Sequence, residues 1–221
     1  MKTIALILWV SLSLPLYGWA ATQATVRVQA TVNAGSCVPT LNPSTIDFGS
    51  ISSRTLNTDQ ITALDPKKTT LTITCDDPMS VGFYFLNNRT DSVDANHDGV
   101  TDSGSTGLFG LGRTSKNIPL GFFEITIENG ISVDGQSGSF LRKQSESWIA
   151  DTSVGSSTMG GDSASNAFSV GLQSSAIAVP VPFSIATIPL SVKPFLNSRK
   201  ILSLNESAKL DGSVTITITY I

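Results

Sequence analysis

Apolar and polar residues alternate with a period of two along most of this chain, and helical periodicity is nearly absent. The alternating runs are Ala24 to Ala34 (ATVRVQATVNA), Thr69 to Cys75 (TTLTITC), Ser80 to Leu86 (SVGFYFL), Gly121 to Gly130 (GFFEITIENG), Val181 to Val192 (VPFSIATIPLSV) and a terminal run after Asp211–Gly212, SVTITITYI. All are rich in Val, Ile, Thr and Phe, and turn residues bound most of them, so each is predicted to be a strand. Short strands separated by loops of Asn, Asp, Gly and Ser predict an all-β sandwich. Two stretches break the rhythm, Arg89 to Lys116 and Asp151 to Asn166, both polar and rich in glycine or serine. They are expected as long loops extending from the sandwich, with no domain boundary at either.

The first twenty residues follow another rule. Lys2 precedes an apolar run from Ile4 that continues to Leu16, and Gly18 and Ala20 have the small-residue spacing of a signal-peptidase site, so residues 1–20 are read as a signal peptide. Ser11, Ser13, Pro15 and Gly18 interrupt the run, which argues against a membrane span of about 20 apolar residues. The expected product is exported, with 13 basic against 17 acidic residues once Lys2 is removed. Charged residues are 14% of the chain, against a usual quarter, and there is no basic patch interleaved with aromatics. That composition excludes nucleic acid as a partner and suits an extracellular structural protein. In an exported chain the two cysteines, Cys37 and Cys75, have one possible pairing, and closing a loop of about 39 residues contributes about 4 kcal/mol.

The two end runs have the chemistry of strands made for pairing. In the first, Val26, Val28, Ala30, Val32 and Ala34 share one face, with Thr25, Arg27, Gln29, Thr31 and Asn33 on the other. A slip of one residue would turn Arg27 and Gln29 into the apolar side, so its register is strongly specified. In the last, Val214, Ile216, Ile218 and Tyr220 alternate with Thr215, Thr217 and Thr219. It is expected to leave an outer edge of N–H and C=O groups for another chain, an arrangement that natural sheets normally cover or blunt.

A wider constellation joins these ends. Cys37 leads into VPTLNPSTIDFGSI, which contains Asp47, Phe48, Gly49 and Ile51; Cys75 closes an alternating strand; GLFGLGRTSKNIPLGFFEITI runs from Gly107 to Ile127; and Tyr220 is the penultimate aromatic. In this order and spacing the chain resembles the subunits of chaperone-usher fimbriae of Gram-negative bacteria, and within them the β-type fimbrial proteins grouped by a domain of unknown function. The resemblance implies an incomplete immunoglobulin-like (pilin) sandwich over residues 36–221, preceded by an N-terminal donor strand within residues 21–35. It implies that Val214, Ile216, Ile218 and Tyr220 flank a groove filled first by a periplasmic chaperone and then, after exchange at an outer-membrane usher, by the donor segment of another fimbrial subunit. Such strand addition takes affinity from main-chain bonds and register from side-chain pockets. One departure is Ala208, where many pilins have a glycine; the nearest glycine here is Gly212.

The remaining motifs offer little chemistry. Asp94, Asn96, Asp98 and Gly99 follow the opening spacing of a calcium loop and Asp102 adds a carboxylate, but Ser105 stands where the bidentate glutamate belongs and no helices flank the segment, so a solvated loop is the preferred reading. His97, the one histidine, lies in that loop, far from any triad. GLFGLG matches neither phosphate-binding fingerprint and is expected as a tight crossing; Asp76 and Asp77 are expected to open a turn before Pro78; Trp148 is a core or groove residue before it is a sugar platform. No catalytic residue, metal site or cofactor is assigned. The expected function is a structural fimbrial subunit, of stem or adaptor type, exported through the periplasm to the cell surface and supporting adhesion, with a host glycan reached through the fibre. The alternative is a secreted, self-contained carbohydrate-binding sandwich.

Overall fold

Alternating β-branched and aromatic residues fit a pleated surface covered on one side, and a computed structural model of the chain places a strand at each such run that it describes. It describes residues 35–93, 107–151, 163–175, 177–204 and 207–221, together with Arg27 and Gln29. The chain divides into two units, Met1–Ala34 and Gly35–Ile221, and the account below concerns the second.

The described residues form twelve strands: β1 (Cys37–Asn42), β2 (Thr62–Ala63), β3 (Lys67–Met79), β4 (Val81–Asn87), β5 (Leu108–Gly110), β6 (Gly121–Ile127), β7 (Ser132–Val133), β8 (Gln136–Gln144), β9 (Ser147–Ala150), β10 (Phe168–Leu172), β11 (Phe183–Leu196) and β12 (Val214–Tyr220). All described pairings are antiparallel. One layer runs β5-β6-β11-β3-β1, with β2 also on β11; the other runs β9-β8-β10-β4-β12. The short β7 pairs with both β11 and the start of β8, and so ties the layers together. Between β3 and β4 only Ser80 intervenes as the chain passes from one layer to the other. This is an all-β sandwich, as the alternation predicts, and an immunoglobulin-like one, as the resemblance implies.

The core lies between the layers. Leu71 and Ile73 of β3, Ile188 and Leu190 of β11 and Ile127 of β6 face Phe83 and Phe85 of β4, Phe140 of β8 and Phe168 of β10, all nearly inaccessible. Phe140 and Phe168 stack with ring centres 5.2 Å apart, and Phe83 lies 6.0 Å from Phe85 in an edge-on arrangement. Each such side chain contributes about 1.5–3 kcal/mol on burial. The bridge Cys37–Cys75 joins β1 to β3 at a directly opposed pair.

Three local expectations are corrected. Asp76 and Asp77 do not open a turn: β3 continues through them to Met79, because the Asp76 N–H still donates to the Ser36 carbonyl at 3.0 Å. The stretch 89–116 is not one loop, since GLFGLG supplies β5 on the edge of β6 and then a bend in which Leu120 N–H bonds the Gly112 carbonyl at 2.9 Å. Asp211–Gly212 forms no turn either. Residues 207–213 run without regular structure into β12, anchored by the Asp211 N–H on the Leu111 carbonyl at 2.9 Å.

Candidate functional site

Among the described residues the two layers end on four strand edges, β5 and β1 in one and β9 and β12 in the other; those of β1 and β12 approach each other. Which groups they present follows from the ladder, because antiparallel residues alternate between bonded and non-bonded pairs. Asn88 N–H donates to the Ser213 carbonyl at 3.1 Å. With the register Val214↔Asn87 to Tyr220↔Val81, the odd residues of β12 therefore bond β4, and Val214, Ile216, Ile218 and Tyr220 turn their N–H and C=O outward. For β1, the Asp76-to-Ser36 bond and the register Cys37↔Cys75 put the even residues on β3 and turn Cys37, Pro39 and Leu41 outward.

At the disulfide end the two edges touch: the Cys37 N–H donates to the Tyr220 hydroxyl at 3.2 Å. Farther along, they flank a groove that reaches the core, with a cavity of about 310 Å³ lined by Leu41, Phe85, Phe123, Ile125, Leu190 and Ile216 among others. A second cavity of about 720 Å³ continues it between residues 46–56 and 204–210, sharing Ile46, Phe48 and Leu210. The side chains of β12 record the deficit. Phe83 and Phe85 of β4 are 1% exposed, whereas Ile218 and Ile216, directly opposite them, are only half-buried. Val214, Ile216 and Ile218 pack against the core from one side, and no strand among the described residues covers the other.

The walls are held by specific contacts. Lys67 Nζ donates to the Asp47 carbonyl at 2.5 Å and sits 5.3 Å from the centre of the Phe48 ring, while Asp47 accepts the Gly49 N–H at 2.7 Å. The DFG stretch is thereby fixed as one lip of the groove. On the other lip, Arg89 binds Asp211 through Nη2 at 2.7 Å and Nε at 3.1 Å, and the Asn88 amide donates to Ser213 Oγ and Thr215 Oγ1, each at 3.0 Å. An exposed pair of this kind is worth at most about 1 kcal/mol; its role is to fix where β12 begins. Gly212 lies against the groove floor, where a Cβ would come within 2.8 Å of the Phe123 ring. Ala208 lines the larger cavity. The close approach that leaves little room for a side chain thus falls at Gly212, while position 208 accommodates an alanine.

The electrostatics of the groove are bland. Burial holds the Glu124 carboxyl above its usual range against the pull of Lys193, but its neighbours Phe123 and Ile125, on the opposite face of β6, are the ones that line the cavity. Among the described residues no cluster of His, Cys, Asp and Glu could hold a metal ion. The calcium candidates Asp94, Asn96, Asp98 and Asp102 lie outside the described residues, as do His97 and Val26, Val28, Ala30, Val32 and Ala34 of the N-terminal run. Trp148 is half-buried on β9 opposite Lys143.

A family model described as a protein of unknown function (DUF1120) matches residues 26–124. The DUF1120 match takes in β1, the DFG lip and the floor residues Phe85 and Phe123, and stops short of β12. Two proteins of Escherichia coli (strain K12) are similar over nearly the whole length. Uncharacterized protein YhcF is 24% identical over 246 aligned positions covering all of both chains, and Protein GltF is 26% identical over 245, covering 96% of this chain and 94% of its own. Both likenesses extend beyond the DUF1120 region.

The Tyr220 contact has a small measurable consequence. Tyr220→Phe is expected to speed amide exchange at Cys37 and lower stability by about 1 kcal/mol, the worth of one ordinary hydrogen bond. Unchanged Cys37 exchange would show that the two edges are held together by packing alone.

Proposed function

We propose that this chain is a structural subunit of a bacterial surface fimbria. It is exported, folds on a periplasmic chaperone, is passed to an outer-membrane usher, and polymerises by donor-strand exchange into a fibre that supports adhesion. The observation that carries this reading is the outer edge of β12: four outward-facing residues over a half-covered apolar row that opens onto the core. An added strand would bond that edge and cover that row together.

The occupant is residues 24–34 of a second subunit. That segment belongs to the other unit of its own chain and alternates Val26, Val28, Ala30, Val32 and Ala34 at the spacing of Val214, Ile216, Ile218 and Tyr220. Burying three valines at about 1.5–3 kcal/mol each, with new ladder bonds, supports a firm junction. The mechanism needs no cofactor and breaks no covalent bond.

The test is a denaturing gel of surface-sheared material from the native bacterium, probed for this protein, with unheated and boiled samples side by side. A ladder that collapses to one band only on boiling is expected, since strand-complemented polymers come apart at a rate set by a high unfolding barrier. A single monomer band in both lanes would displace this reading in favour of a self-contained secreted binding module.

A further inference from the structure

The two lips of the groove are unequal. An incoming strand has two edges of its own, one toward β12 and one toward β1. Toward β12 it meets the N–H and C=O groups of Val214, Ile216, Ile218 and Tyr220, none of them proline. Toward β1 the outward positions are Cys37, Pro39 and Leu41. The Cys37 N–H is already given to the Tyr220 hydroxyl, and Pro39 has no N–H to give. A proline at an edge position is one of the devices by which sheets refuse a further strand.

We propose that the groove takes its strand one-sidedly, with a ladder to β12 and none to the middle of β1, and that Pro39 thereby sets how long the strand stays. The inference rests on the strand-insertion reading above and adds a specificity-determining residue to it. The occupant is the same, residues 24–34 of a second copy. A strand bonded along one edge leaves by opening one ladder, so the missing donor keeps the junction exchangeable at this end until the apolar side chains have seated. Pro39 is opposite the buried Ile73 and on the same face as the buried Cys37, and is itself only partly exposed. A substitution there gives the main chain of β1 an outward donor between Cys37, whose N–H meets Tyr220, and Leu41, which lines the cavity.

The experiment uses the full chain and a fluorescent peptide of residues 21–34, with release followed by anisotropy after excess unlabelled peptide is added. Pro39→Val and Pro39→Ala both restore the N–H. Each is expected to slow release by about two- to tenfold, the effect of one net hydrogen bond. Both variants are needed because a packing effect would depend on the side chain and a ladder effect would not. Unchanged release in both, or slowing in the valine variant alone, overturns the proposal while leaving strand insertion in place. No capture of peptide by the unaltered chain removes strand insertion itself, and the inference with it.

Discussion

Deleting Ala24 to Ala34 is expected to exclude the protein from surface fibres while leaving its capture by a periplasmic chaperone intact. The buried core of the described residues starts at Cys37, and every lining residue of the groove lies after it. The deletion therefore spares the acceptor edge of β12 and removes only what the subunit offers to the next one. Losing three valines from a junction forgoes roughly 5–9 kcal/mol of apolar burial before any ladder bond is counted, several orders of magnitude in equilibrium terms. Sheared fibres and chaperone co-purification, blotted from the same cells, check both halves. A deleted chain that still enters boiling-sensitive ladders would show that the donor strand lies elsewhere.

Replacing Cys37 and Cys75 together by serine is expected to cost about 4 kcal/mol, from the loop-closure entropy that the bridge removes from the unfolded chain. The bridge spans 38 residues of sequence, and among the described residues β1 pairs with no strand other than β3, so without it the six-residue β1 is held there by one ladder and its inward side chains. Against a typical total of about 5–15 kcal/mol the loss is large, and with a common urea slope the midpoint should fall by on the order of 2 M. Equilibrium unfolding of the two proteins decides it. A fall below about 0.5 M would mean that the ladder alone keeps β1 in place and that the bridge adds little.

The strands that alternate cleanly were legible in the sequence, and the reason the others were not is physical. Thr69–Cys75, Phe123–Ile127 and Val214–Tyr220 each alternate a face toward the core with a more open one, so composition repeats the pleat. In β8 both Phe140 and Leu141 are buried, which erases the alternation. In β10, Ser169 reads as polar and is nevertheless buried, its hydroxyl donating to the Val81 carbonyl at 2.7 Å. β1 was missed because Pro39 sits in it, and a proline in an edge strand reads locally as a break.

The candidate site divides in the same way. The alternation of β12 was legible: Val214 and Ile216 line the cavity, Ile218 is half-buried opposite Phe83, and Tyr220 is exposed. The floor of the groove was not legible, because Phe123, Leu190 and Phe85 come together only through pairing distant in sequence. The lips held a missed local signal: Ala208, Leu210 and Gly212 continue the even-numbered row upstream of Val214, and Asp211–Gly212 concealed it by looking like a turn.

The position of the disulfide has a mechanical side. If the chain polymerises as proposed, a subunit in a fibre under tension would be pulled through residues 24–34, and the load would reach Gly35, two residues before Cys37. There the covalent crosslink would carry it straight to Cys75 in the middle of β3. Val38 to Asn42 would then lie outside the force path, and the β1 lip of the groove would keep its geometry under that load.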